Sequence, residues 1–225
     1  MESLADKERL PRDIVAMRVA KELPDGSYVN LGIGIPTMVS SFVPEGRTVF
    51  YHSESGILNC GPLAEVVNEH FDLITSGGQY LQIIDGMSFF DSAEAFAMIR
   101  GGHVDGTVLG SHQVSATGDL ANWMLPQRGV GNVGGAMDLA TGASGVIVAM
   151  EHTDRNGEPK IVQECTFPLT GKGCVYLIVT DLAVIECDGH GLTLKEVAPG
   201  WTPEEVQQLT GAILAISPDV KEFEL

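Results

Sequence analysis

The stretch "CVYLIVTDLAVIECD", residues 174–188, constrains the fold more than any other. Two segments rich in β-branched and large apolar residues meet at Thr180 and Asp181. That pattern predicts two strands joined by a tight turn, so part of any sheet is antiparallel. Further strands are expected at "YVNLGIGI" (28–35), "TVFYHSE" (48–54), "HVDGTVLG" (103–110) and "GVIVAME" (145–151). Pro36 and Pro44 bracket the segment between the first two, which reads as a compact β-turn-β arrangement. Helical patterns separate the strands. Val15, Val19 and Leu23 recur at i, i+4, i+8 in "RDIVAMRVAKEL" (12–23), with Arg18, Lys21 and Glu22 elsewhere on the turn. Asp91 or Ser92 caps a second helix that Gly101 stops. Thr202, Pro203 and Glu205 form a capping box for a last helix, with Val206, Leu209 and Ile213 on one face. The alternation predicts an α/β fold: a mixed open sheet with helices on its faces. At 225 residues, with no repeat, linker or low-complexity tract, one domain over 1–225 is expected, residues 1–11 forming a loose leading segment.

Charge narrows the partners. Thirteen basic against thirty acidic residues give a net charge of -17, which argues against nucleic acid and anionic membrane surfaces. An anionic small molecule is still allowed, because surface fields are screened within about 8 Å at physiological salt. Between Thr48 and Asp154 the only Lys or Arg residues are Arg100 and Arg128. Phosphates bound along this stretch would therefore depend on backbone amides or on another subunit. Cys60, Cys165, Cys174 and Cys187 form no CxxC pair, and the charged N-terminus does not read as a signal peptide. A reducing, cytoplasmic setting is expected, and no apolar run is long enough to cross a bilayer.

Several motifs suggest chemistry and fall short. "GIGIPT" (32–37), with Glu54 at the end of the next strand, imitates a dinucleotide fingerprint. Thr37 stands where the third glycine belongs, and the following segment reads as too short for the usual crossover helix. The six histidines show neither HxxxH nor HExxH spacing, so no metal site is expected. "HSESG" lacks the leading glycine of a serine elbow. Cys60, in a glycine-rich turn, reads as a structural cysteine.

Glu54 remains. A carboxylate at a strand end beside Ser55 and Gly56 can be a covalent nucleophile, a general base, a ligand-orienting group or a solvated strand terminus. A second glycine cluster, "GVGNVGGAMDLATGA" (129–143), lets backbone approach a ligand closely at Gly134, Gly135 and Ala136. Its N–H groups could cradle an oxyanion or phosphate, or the cluster could simply connect strands.

Ordered blocks through nearly the whole chain decide between these readings by resemblance. "SESGIL" (53–58), "AFAMIRGGHVDGTVLG" (95–110), "GDLANWMLP" (118–126), "GGAMDLATGA" (134–143), "AMEHT" (149–153) and "CTFPLTG" (165–171) are similar to the β subunit of the family I coenzyme A transferases. The resemblance implies an open-sheet domain of the CoA-transferase type. It makes Glu54 the nucleophile that becomes a glutamyl-CoA thioester and gives the Gly135 amide an oxyanion role. Gly32, Gly34, Gly134 and Ala136 are the expected contacts to CoA and substrate. Coenzyme A is then a substrate, with no permanently bound cofactor and no metal. An α subunit is the expected partner, in a heterotetramer acting on short acyl or 3-oxoacyl thioesters and free carboxylates. A thioesterase using the same glutamate and a non-catalytic ligand-binding or assembly subunit are the competing readings. Two departures stand out: Ser55 replaces the family's usual asparagine, and Tyr176-Leu177 replaces Asn-Arg.

Overall fold

The computed structural model describes Leu4 and residues 7–64, 70–75 and 78–224. In chain order the elements are α1 (Arg12–Ala20), β1 (Tyr28–Leu31), α2 (Ile35–Met38), β2 (Phe50–Ser53), β3 (Ile57–Leu58), β4 (Ser88–Phe89), α3 (Ser92–Arg100), β5 (Gly106–Leu109), β6 (Gln113–Ser115), β7 (Leu120–Ala121), α4 (Ala136–Gly142), β8 (Val146–Met150), β9 (Ile161–Val162), β10 (Val175–Thr180), β11 (Ala183–Cys187), β12 (Leu192–Val197), α5 (Pro203–Gln208) and β13 (Leu214–Glu222). A 10-stranded sheet runs β13-β12-β11-β10-β8-β5-β1-β2-β3-β4, and β7-β6-β9 form a small second sheet. The expected α/β class with a mixed sheet is what forms. From β10 through β8, β5 and β1 to β2 every pairing is parallel. The β10–β11 and β11–β12 pairings and both outer joints at β3 are antiparallel.

The central strands are apolar on both faces because each face is covered. All five residues of β8 are buried, as a strand enclosed on both sides requires. Val29, Val108, Ile147 and Val179 point toward α1 and α2, where they meet Val15, Val19 and Ile35. Leu109, Val146, Val148 and Ile178 point the other way, onto Ile99 of α3 and Leu139 of α4. Arg18 also faces inward. Its guanidinium lies 2.8 Å from Glu196 on β12, with both side chains at most a tenth exposed.

Local signals set several boundaries. Asp91 accepts from the Glu94 N–H at 2.9 Å and caps α3. Thr202 and Glu205 close the capping box of α5. The β10–β11 hairpin turns at Asp181 and Leu182, one residue beyond the expected joint at Thr180 and Asp181. Three expectations are corrected. The link between β1 and β2 is a short crossover through α2 and a 3-10 turn (Val39–Phe42), so the two strands lie parallel instead of forming a β-turn-β unit. α1 stops at Ala20, with Leu23 buried beyond it. α5 ends at Gln208, before Thr210 and Gly211, so Ile213 lies outside the helix and is 82% exposed.

At the N-terminus, Leu10 N–H donates to Asp181 O, Arg9 to Thr153 Oγ1, and Trp201 Nε1 to Glu8 O. Residues 8–10 are therefore pinned against the ends of β8 and β10. Among the described residues no helix is long and apolar enough to cross a membrane.

Candidate active site

Glu54 begins the three-residue turn between β2 and β3, in which Ser53 pairs with Ile57. Gly56 makes that turn possible. Its φ is 102°, and a Cβ there would lie 2.0 Å from Phe90 O. Only glycine fits both demands, and the Phe90 N–H to Gly56 O bond (3.0 Å) fastens the turn to the segment leading into α3. Ser55 is exposed, and its hydroxyl shares a 2.7 Å bond with that of Ser53.

The carboxylate is half-buried and held from β1. Asn30 Nδ2 donates to Glu54 Oε2 at 3.0 Å and also faces His52 O at 3.1 Å and His52 Nδ1 at 3.2 Å. Strand register creates this cluster. Asn30 pairs with His52, so the two side chains share a face, and Glu54, two residues after His52, continues it. Asn30 is 1% and His52 3% exposed. Burial pushes the His52 imidazole below its ordinary value, although the nearby Glu54 carboxylate pulls it upward. Among the described residues its buried Nε2 has no hydrogen bond of good geometry, and the Ala95 backbone, like Glu54, acts to raise the imidazole.

From the other side comes Gly135, immediately before α4. A Cβ on it would sit 3.5 Å from Glu54 Cγ and 3.4 Å from the Phe96 ring. Glu54 and Gly135, 81 residues apart in sequence, are thus neighbours. Ala136 packs on the core behind them. Gly134 is exposed, and nothing lies within 4 Å of where its Cβ would stand. A cavity of about 740 Å³ adjoins Glu54 and is lined by Gly34, Thr37, Met38, Tyr51 and Leu81 among others. Gly32 is placed differently. Its N–H donates to Val108 O at 2.8 Å, and a Cβ on it would stand 3.2 Å from Leu109 Cδ2 of β5, so its amide is spent on β5.

The cavity is short of positive charge. None of the described residues lining it is a lysine or arginine. Arg47, the one such residue between positions 31 and 81, turns away to the carbonyls of Lys21 and Leu23. Arg100 is engaged by Asp138 at 2.7 Å. Cys60 lines the cavity, and burial pushes its thiol up to about 11, which keeps it protonated and inert at neutral pH. Among the described residues no group of three His, Cys, Asp or Glu side chains could hold a metal.

Comparison with known proteins identifies the architecture around this carboxylate. The coenzyme A transferase family model matches residues 12–209. The chain belongs to the coenzyme A transferase family. The B subunit of a 3-oxoadipate CoA-transferase from Acinetobacter baylyi is 48% identical over 207 residues, 92% of this chain and 95% of that protein. The B subunit of a probable succinyl-CoA:3-ketoacid coenzyme A transferase from Bacillus subtilis is 46% identical, over 93% of this chain and 97% of its own length. Among solved structures, an acyl-CoA transferase from Escherichia coli O157:H7 superposes with a TM-score of 0.74 at 19% identity, covering 100% of this chain and 44% of that one. Glutaconate coenzyme A-transferase from Acidaminococcus fermentans gives 0.69 at 18%, covering 95% and 88%. A decarboxylase, AibA/AibB, has the same fold at a TM-score of 0.68. Coenzyme A transferase architecture thus also houses other chemistry, and the reaction must be argued from the site.

Proposed function

We propose that this coenzyme A transferase is a β-type subunit that moves CoA between a short acyl or 3-oxoacyl thioester and a free carboxylate through Glu54. The observation that carries the proposal is the closeness of Gly135 to the Glu54 side chain, with the carboxylate held by Asn30 beside a cavity. In the first step a Glu54 oxygen attacks the thioester carbonyl carbon, the C–S bond breaks, and CoA departs as thiolate, leaving an acyl–glutamyl anhydride. The thiolate then attacks Glu54 Cδ, expelling the first acid as its carboxylate and leaving a glutamyl-CoA thioester. A second carboxylate reverses both steps and leaves as the new acyl-CoA.

A carboxylate nucleophile suits an exchange between acids because it can replace either acid at each stage without net change in bond type. The Gly135 amide is the proposed donor to the developing oxyanion, a contact typically worth about 3 kcal/mol. Contacts to remote parts of CoA offset the cost of the anhydride. Among the described residues no lysine or arginine lines the cavity. A partner α subunit is therefore the proposed source of positive charge for the CoA phosphates and for any second carboxylate on the acid. Exposed apolar side chains beside the site, Ile33 at 66% and Val133 at 79%, are surfaces such a partner would cover. The Ser55 hydroxyl bonds Ser53, and the support of Glu54 comes from Asn30, so nothing about Ser55 favours hydrolysis over transfer.

The test combines the chain with its α partner and succinyl-CoA or acetoacetyl-CoA, followed by trapping with hydroxylamine and peptide mass mapping. A hydroxamate on Glu54 is expected, and label on a different residue would sink the assignment.

A further inference from the structure

Resting on the glutamyl-thioester reading, we infer that Asn30 is a second catalytic residue of this chain, the donor that stabilises negative charge on the glutamate's own oxygen. Asn30 Nδ2 lies 3.0 Å from Glu54 Oε2. When thiolate or acid attacks Cδ of the acylated or thioesterified glutamate, the pair of the Cδ=O bond moves onto the oxygen that Asn30 holds. The adjacent N–H meets that charge, and collapse of the tetrahedral centre re-forms the carbonyl and expels the leaving group. Gly135 adjoins the same side chain from α4, so Glu54 has a donor strand on one side and a glycine turn on the other.

Two features make the amide a fixed donor. Its orientation is determined by its surroundings, because turning it over would set Oδ1 against both His52 O and Glu54 Oε2, two acceptor–acceptor contacts. It is also almost fully buried, with Oδ1 itself lacking a hydrogen-bond partner among the described residues. An amide whose oxygen goes unpaired while its nitrogen faces three acceptors is arranged for its N–H groups. His52 acts through Asn30 as a positioning residue. Such preorganised donors stabilise charge without rearranging during the reaction.

The experiment uses the assembled enzyme with its α partner and compares wild type with Asn30→Ala and Asn30→Asp. For Asn30→Ala, kcat should fall about 10²- to 10³-fold, with KM for both substrates nearly unchanged. Asn30→Asp keeps the shape but donates only when its carboxyl is protonated. The titrating groups around it are Glu54 and His52, with Cys60 close to Glu54. Its kcat should therefore rise about tenfold for each unit of falling pH on the alkaline side of its profile, a rise absent from wild type. A purely structural role predicts lower melting temperatures and an unchanged profile. An Asn30→Asp profile parallel to wild type, or an Asn30→Ala kcat within about threefold of it, would overturn the inference. Hydroxylamine trapping on wild type separates the two levels. Absence of label on Glu54 removes the glutamyl reading beneath the inference, whereas label on Glu54 with parallel profiles defeats the role of Asn30 alone.

Discussion

At the scale of single residues, two glycines near Glu54 have opposite duties and should fail differently. Gly56 has a positive φ, and Phe90 O stands 2.0 Å from where a Cβ would go, so Gly56→Ala must move backbone. It should cost about 2 kcal/mol or more of stability, read as a lower denaturation midpoint. Gly135 has a helical φ of -67° and would place its Cβ in ordinary contact with Glu54 and Phe96. Gly135→Ala should therefore melt close to wild type while exchange slows at least about tenfold, because the methyl crowds the space beside the carboxylate. Equal loss of stability in both variants would contradict this division. The place of Glu54 was legible in sequence because a carboxylate at a strand end before Ser-Gly is conspicuous, and resemblance supplied the role proposed for it. Asn30 was not. It lies inside an apolar strand, and only the pairing of Asn30 with His52 reveals that it faces Glu54.

Among the elements, those with local chemistry at their ends were readable. Asp91 and Thr202 bond the N–H groups of Glu94 and Glu205, and such caps depend on residues a turn away. The parallel placement of β1 and β2 was hidden because it depends on how a short connection packs over the sheet. Ile213 continued a helical period, yet Thr210 and Gly211 ended the helix first: Thr210 Oγ1 donates to Val206 O, and the Gly211 N–H donates to Ile161 O. α1 shows a further limit of periodicity, since Arg18 sits on a buried face where Glu196 neutralises it. Arg18 also bonds Glu22 at 2.5 Å, so it is removal of Arg18 that strands a buried charge, the Glu196 carboxylate. Arg18→Met should destabilise the protein by about 3 kcal/mol, and Arg18→Met with Glu196→Leu by clearly less than the sum of the two single changes, measured by urea denaturation as a double-mutant cycle. Additive losses would show that the pair does not couple α1 to β12.

On the scale of the whole molecule, His152 ties stability to pH. His152 is fully buried, with Nδ1 2.9 Å from Thr180 Oγ1 and Nε2 2.9 Å from Thr210 Oγ1, joining the ends of β8, β10 and α5. Burial, aided by Arg9 and Lys160, lowers its pKa to about 3. The unfolded chain binds a proton near the ordinary value of about 6.5 that the folded chain refuses. This site therefore takes nothing from stability above that pH and progressively destabilises the fold as pH falls toward 3, by up to about 4 kcal/mol. Urea midpoints should drop between about pH 7 and about pH 4.5, and less steeply in His152→Gln. A level wild-type series would refute the assignment.

The β1–β2 ladder has a consequence for how this chain can change length. Side chains alternate across a strand, so a slip of one position would turn Asn30 to the opposite face and offer Glu54 the aliphatic Val29 or Leu31 instead. Insertions or deletions in the connection at 32–49 can thus be absorbed only where they leave the two strands in step. A variant that slipped could remain folded and apolar inside, yet hold the Glu54 carboxylate against hydrocarbon.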